Sequence, residues 1–137
     1  MNTFLPYPDF KQSARVLDRQ RLGKQRVEAL QLLEAIRYGS QWRHHPACKM
    51  WLGYTNALVL YGKTICDEWI SRGYKDNSCW PKIEFIVLPW WLGNEKFHSA
   101  HRAALLAKDS FWYGSLGWKE KPGINYWWPE GITIVLP

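Results

Sequence analysis

The sequence predicts a single all-α domain of three main helices joined by Trp-rich loops, and three observations predict it. Apolar residues recur at three- and four-residue spacing in three separate segments. Helix-starting and helix-stopping residues flank them: Asp9 or Ser13 before the first, Gly39 and Ser40 after it, Pro46 before the second and Gly73 behind it. The one strand-like run, residues 83–88, is bracketed by Pro81 and Pro89 and has no partner run. A chain of 137 residues suits one core and one domain, residues 1–137.

The first eight residues carry Pro6 and Pro8, which fix an extended arm. The first helix is expected over Ser13–Tyr38. Leu22, Ala29, Leu33 and Ile36 make its core stripe, with Arg26 inside that stripe, while Asp18, Arg21, Gln25 and Glu28 form a second row along its edge. Two readings stand. One is a surface helix with intrahelical pairs such as Lys24 with Glu28. The other is a helix lining a polar site, with Arg26 aimed at an anion.

The loop QWRHHPA follows, grouping Arg43, His44 and His45 ahead of Pro46. Two histidines with no matching Cys or carboxylate spacing make a poor metal signal, so phosphate contact or a structural hydrogen bond is expected. The second helix is expected over Pro46–Arg72 as one element, with Met50, Ala57, Leu58, Tyr61, Ile65 and Trp69 on its apolar face. Residues 76–93 read as an apolar loop packed over the helices. The third helix is expected over Glu95–Lys108. There His98, His101 and Arg102 lie within one turn and suit a cationic face toward phosphate, against the plainer reading of a solvated face. HxxH without the glutamate of HExxH is not a zinc-protease pattern. The remainder, from Asp109 on, reads as loop and short turns dense in aromatics such as Trp112 and Tyr113, a core lid or a base-contacting surface.

Charge and aromatic content indicate a partner class. The net charge is +6 and the isoelectric point about 9.3, which favours a polyanion. Ten tryptophans in so short a chain add residues able to stack on bases. Three cysteines without CxxC spacing suit a reducing cytoplasm and are expected as small buried hydrophobes. No signal-peptide pattern and no membrane-length apolar run is present.

Several separated stretches resemble one family, the pyrimidine-dimer DNA glycosylases of the phage endonuclease V type. Asp18-Arg19-Gln20 resembles the family's Arg-Glu segment in the first helix. Residues 65–75, ICDEWISRGYK, resemble the end of its second helix. His44-His45-Pro46 falls where the family has a histidine before that helix, and Phe111-Trp112-Tyr113-Gly114 resembles its Trp-Tyr-rich C-terminus. The resemblance implies an endonuclease V-like helical fold and an enzyme that flips a damaged pyrimidine out of duplex DNA and excises it. It also implies that the enzyme nicks the abasic site through a Schiff base on the N-terminal amine. An α-amine suits that role because its reference pKa is about 8, well below that of lysine.

Two positions depart from the pattern. Asn2 follows Met1, too bulky for ready removal of the initiator, so Met1 itself is expected to carry the amine. Gln20 stands where the family's glutamate belongs, and glutamine is neither acid nor base. Glu28 is the preferred replacement and Asp18 the other. The expected catalytic set is therefore Met1, Asn2, Asp18, Gln20 and Glu28. The expected DNA contacts are Arg19, Arg21, Lys24, Gln25, Arg26, Arg43, His44, His45, His98, His101, Arg102, Trp112 and Tyr113. No metal or organic cofactor is implied. The expected partner is double-stranded DNA carrying a damaged or modified base, met by a monomer in the cytoplasm. A non-enzymatic binder of distorted DNA is the alternative, and a metal hydrolase using His44, His45, His98 and His101 is a third reading.

Overall fold

The computed structural model describes residues 1–129, and the end of the predicted aromatic tail, residues 130–137, lies outside them. Among the described residues the chain is helical with no strand: α1 Phe10–Val16, α2 Arg19–Tyr38, a 3₁₀ turn Gln41–His44, α3 Pro46–Lys49, α4 Thr55–Ser71, α5 Glu95–Lys108 and α6 Ser110–Gly114.

The predicted first helix is two helices. Asp9 caps α1 by accepting from the Gln12 amide at 3.1 Å, so the helix begins before Ser13, whose hydroxyl serves Tyr7 instead. Leu17 and Asp18 are extended and break the run, and Asp18 is the N-cap residue of α2. The predicted second helix also divides. Gly53 adopts φ +83°, a left-handed value that no α-helix continues through, so α3 closes in a turn and α4 starts at Thr55. The third helix has the predicted bounds, Glu95–Lys108.

α2 packs chiefly on α4, α1 also lies on α4, and α5 packs on α6. The element that threads between them is not a helix but the N-terminal arm. Asn2 and Phe4 bond to α2, Phe4 approaches Tyr61 of α4, and Leu5 bonds to α5. Part of the tryptophan surplus fills the core beneath the arm. Trp51 and Trp91 are fully buried with ring centroids 5.0 Å apart, edge to face. The Trp51 indole N–H donates to Thr3 Oγ1 at 3.0 Å, and that of Trp91 to the Met50 carbonyl at 2.9 Å. The 76–93 loop packs through Trp80 and Ile83, but Phe85, Val87 and Leu88 are exposed. Cys48 and Cys66 are buried as expected, whereas Cys79 is exposed.

Gly62 on α4 gives one sharp packing test. A Cβ there would lie 2.1 Å from the Trp80 ring. Gly62→Ala is expected to lower stability by about 1–3 kcal/mol, the usual cost of overpacking, read as a lower urea midpoint.

Candidate active site

Arg21, Gln25 and Glu28 of the polar row predicted along the first helix line a cleft, joined by Gln20 and Lys24 and without Asp18. Its floor and near wall are Gln20, Arg21, Lys24, Gln25 and Glu28 of α2, spaced so that one helical face carries them all. Met1, Asn2 and Phe4 of the arm form the second side. Lys108, Ile124 and Tyr126 close the third. The cleft holds about 260 Å³. A second hollow, bordered by Gly23, Val27 and Trp42, shares Met1, Lys24 and Glu28 with the first. Met1 and Glu28 therefore stand on the ridge between two depressions.

Gln25 is the residue that seats the arm. It is fully buried; its Nε2 donates to the Asn2 carbonyl at 3.0 Å, and its Oε1 accepts from the Phe4 amide at 2.8 Å. The Tyr61 hydroxyl lies 2.6 Å from that oxygen and 2.8 Å from the Phe4 carbonyl, so its one proton can serve either. Gln25 is thus buried and committed to the arm rather than presented to DNA. Glu28 completes the seat, with its Oε2 accepting from the Asn2 amide at 3.0 Å.

Burial chiefly, and the charge of Glu28 secondarily, shift the titration of its neighbours. Burial pushes the Tyr61 and Tyr126 phenols up; the Glu28 carboxylate adds to this, against the Phe4 backbone at Tyr61 and the Asn2 side chain at Tyr126. His45 is pushed down by partial burial and by the positive Met1 amine, with Glu28 pulling the other way. His45 also caps α3, its Nδ1 accepting from the Ala47 amide at 3.0 Å. The Asn2 side-chain nitrogen is buried without a hydrogen-bond partner among the described residues.

Other predicted positions lie elsewhere. Asp18 does not line the cleft; it accepts from the Tyr113 hydroxyl and pairs with Arg21 at 3.2 Å. Tyr113 is fully buried and stacks on Trp118 at 5.5 Å, so it presents no face to a base. Trp112 is partly exposed, with its indole N–H held by the Val16 carbonyl at 2.8 Å. His98 and His101 are fully buried and bond to the arm, so neither is on a phosphate-facing surface. Arg102 is taken up by Glu95, Glu120 and the Pro6 carbonyl. Arg19, Arg43 and His44 are exposed, as a phosphate contact requires. Among the described residues no three His, Cys, Asp or Glu side chains are grouped to hold a metal.

The anion that Arg26 meets is internal. Its guanidinium pairs with Asp76 at 2.6 Å and lies over the Trp69 ring at 5.1 Å, outside the cleft. Burial pushes the Asp76 carboxyl up, but hydrogen bonds from Ser78 and Arg26 outweigh it and hold the carboxyl below its usual range. Arg26→Ala would strand that buried carboxylate. The expected loss is about 2–4 kcal/mol of stability, near the lower end for buried pairs because the arginine is partly solvated. Affinities for intact and lesion-bearing duplexes should stay equal to the wild-type values; a selective loss on the lesion would return Arg26 to the site.

A basic, all-helical protein whose polar cleft joins a chain terminus to a carboxylate and to cations has the make-up of a DNA-processing enzyme. A family model described as pyrimidine dimer DNA glycosylase matches residues 1–82, and the chain belongs to that family. It is accordingly a DNA glycosylase, with DNA as its partner. The matched segment holds the arm and α1 to α4; α5, Lys108 and Tyr126 lie beyond it. Comparisons with curated proteins and with solved structures gave no significant match. Among the described residues no helix is long and apolar enough to cross a membrane.

Proposed function

We propose that the protein excises a damaged or modified pyrimidine from duplex DNA, with the Met1 α-amine as nucleophile and Glu28 as the assisting carboxylate, and then nicks the abasic site. The observation that carries this reading is the contact of Glu28 Oε2 with the Asn2 amide, one residue from the amine, inside a cleft that both residues line. Arg21 and Lys24 on the same helical face supply charge for the flanking phosphates. Exposed Arg19, Arg43 and His44 extend that contact.

The chemistry follows from these groups. The neutral amine adds its lone pair to C1′ of the flipped nucleotide, and the glycosidic bond breaks with its electrons on the departing base. Glu28 takes the proton that the nitrogen sheds, and returns one to the sugar ring oxygen as the C1′–O4′ bond opens. The product is an iminium between Met1 and the opened sugar. Loss of a C2′ proton then expels the 3′ phosphate, and water releases the sugar from the amine. Gln20, which replaces the family's glutamate, is placed in the same cleft as a hydrogen-bonding group without acid–base capacity.

Gln20 also favours the second reading, a protein that binds distorted DNA without cutting it. Borohydride separates the two. An iminium is reduced to a stable amine, so incubation with a lesion-bearing duplex and borohydride is expected to give a covalent adduct mapping to Met1. An adduct on a lysine such as Lys108, or none with full strand cleavage, would exclude the amine. No adduct and no cleavage on any lesion would leave the binder.

A further inference from the structure

The arm makes no helical hydrogen bonds, so its backbone groups need partners from elsewhere. At Leu5 both partners are histidines of α5. The Leu5 amide donates to His101 Nδ1 at 2.9 Å, and the Leu5 carbonyl lies 2.7 Å from His98 Nδ1. The Gly93 amide donates to His98 Nε2 at 2.8 Å. These donors fix the protons. His98 accepts at Nε2, so its hydrogen is on Nδ1 and points at the Leu5 carbonyl. His101 accepts at Nδ1, so its hydrogen is on Nε2. The rings are neutral and in opposite tautomers, one offering a donor and the other an acceptor to the same residue. Arg102, the next residue, donates to the Pro6 carbonyl at 2.8 Å.

We propose that His98 and His101 are positioning residues for the N-terminal amine, a tautomer-matched pair that fixes the register of the arm at Leu5 and thereby the place of Met1 beside Glu28. This rests on the reading of Met1 as nucleophile. An extended segment advances about 3.3 Å per residue and turns over with each step, so a slip at Leu5 would carry Met1 off the ridge. Gln25 holds the arm at Asn2 and Phe4 from the α2 side, and the histidine pair anchors it independently at Leu5 from the α5 side. The pair lies outside the matched segment, on α5. Its surroundings favour neutral rings. Burial, then the neighbouring His98, pushes His101 down to about 3. Burial lowers His98, the Leu5 carbonyl opposes it, Arg102 lowers it further and Glu95 raises it. Glu120 faces this corner through Arg102, and Tyr126 packs on the His101 ring.

The test compares wild type with His101→Leu, which removes the ring nitrogens, and His101→Asn, which offers a carboxamide oxygen near the place of Nδ1. The probe is a duplex with one abasic site. Borohydride trapping in single turnover should slow by about 10²-fold in His101→Leu, the scale for an ångström of misplacement, with Kd for the duplex unchanged. His101→Asn should recover most of the rate. Trapping by His101→Leu at the wild-type rate would overturn the proposal, as would an equal loss in both variants. Absence of a Met1 adduct in wild type would instead sink the amine reading itself. Should His101→Leu fail to fold, the imidazole ¹H–¹⁵N spectrum of wild type decides. One Nδ1–H and one Nε2–H ring, both neutral at about pH 7, are expected; matching tautomers or a protonated ring there would overturn the pairing.

Discussion

Replacing Glu28 by glutamine is expected to slow base excision by about 10²–10⁴-fold, the range for loss of a positioned acid–base group. Duplex affinity should hold or rise slightly, because a negative charge facing phosphate is removed. Glutamine keeps the carboxyl shape and can still accept from the Asn2 amide, so the arm stays seated. What is lost is the capacity to take a proton. The measurement is single-turnover strand cleavage set beside a binding titration. Undiminished turnover would remove Glu28 from the mechanism. Gln20→Glu in the Glu28→Gln background then asks whether a carboxylate about two turns earlier, on the same cleft wall, restores the rate.

Acid should weaken the fold well above the pH at which carboxylates titrate. His101 is neutral when folded down to about pH 3, but protonates near 6.5 when unfolded. Between those values the unfolded chain binds more protons, so stability rises with pH. The contribution is complete above 6.5 and is lost as pH falls toward 3, at about 1.4 kcal/mol per pH unit for a single group. His98 and His45, also pushed down by burial, act in the same direction. Asp76 and Glu120 lie below their ordinary values of 3.8 and 4.5, so their stabilisation fades only under those values. Urea melts between pH 4.5 and 6.5 therefore report on the histidines. A flat profile across that window would show that the rings protonate in the folded protein, and His101→Leu should reduce the slope.

Local spacing carried the parts of the fold that local chemistry decides. Gly39 and Gly73 marked the C-terminal ends of α2 and α4, and Arg21, Gln25 and Glu28 of the polar row did line a cleft because one helical face must stay together. The break at Leu17 and Asp18 was not legible. No proline or glycine marks it, and it is held by groups far away in sequence: Tyr113 on the Asp18 amide, Trp112 on the Val16 carbonyl and Arg72 on the Arg15 carbonyl. Arg26 and Gln25 exchanged places for a similar reason. They are 100° apart on the helix, and partners distant in sequence decide between them: Asp76 and Trp69 hold Arg26 outside the cleft, while Asn2, Phe4 and Tyr61 bury Gln25. At α5 a signal was present. Phe97, His98, His101, Ala104 and Leu105 form a continuous buried stripe once histidine is counted with the apolar residues. Lys108, Ile124 and Tyr126 had no local pattern that could place them at the cleft.

The arm fastened by α5 also sets the order in which the molecule is completed. Leu5 is synthesised well before its partners, which stand at 98 and 101, 93 and 96 positions later. The closure of that loop is entropically costly and comes late. A nascent chain can pair α1 and α2 with α4 while Leu5 still lacks its partners. The arm is fastened at Leu5 only after α5 has been made, so this part of the cleft wall is assembled later than the helices that carry its floor.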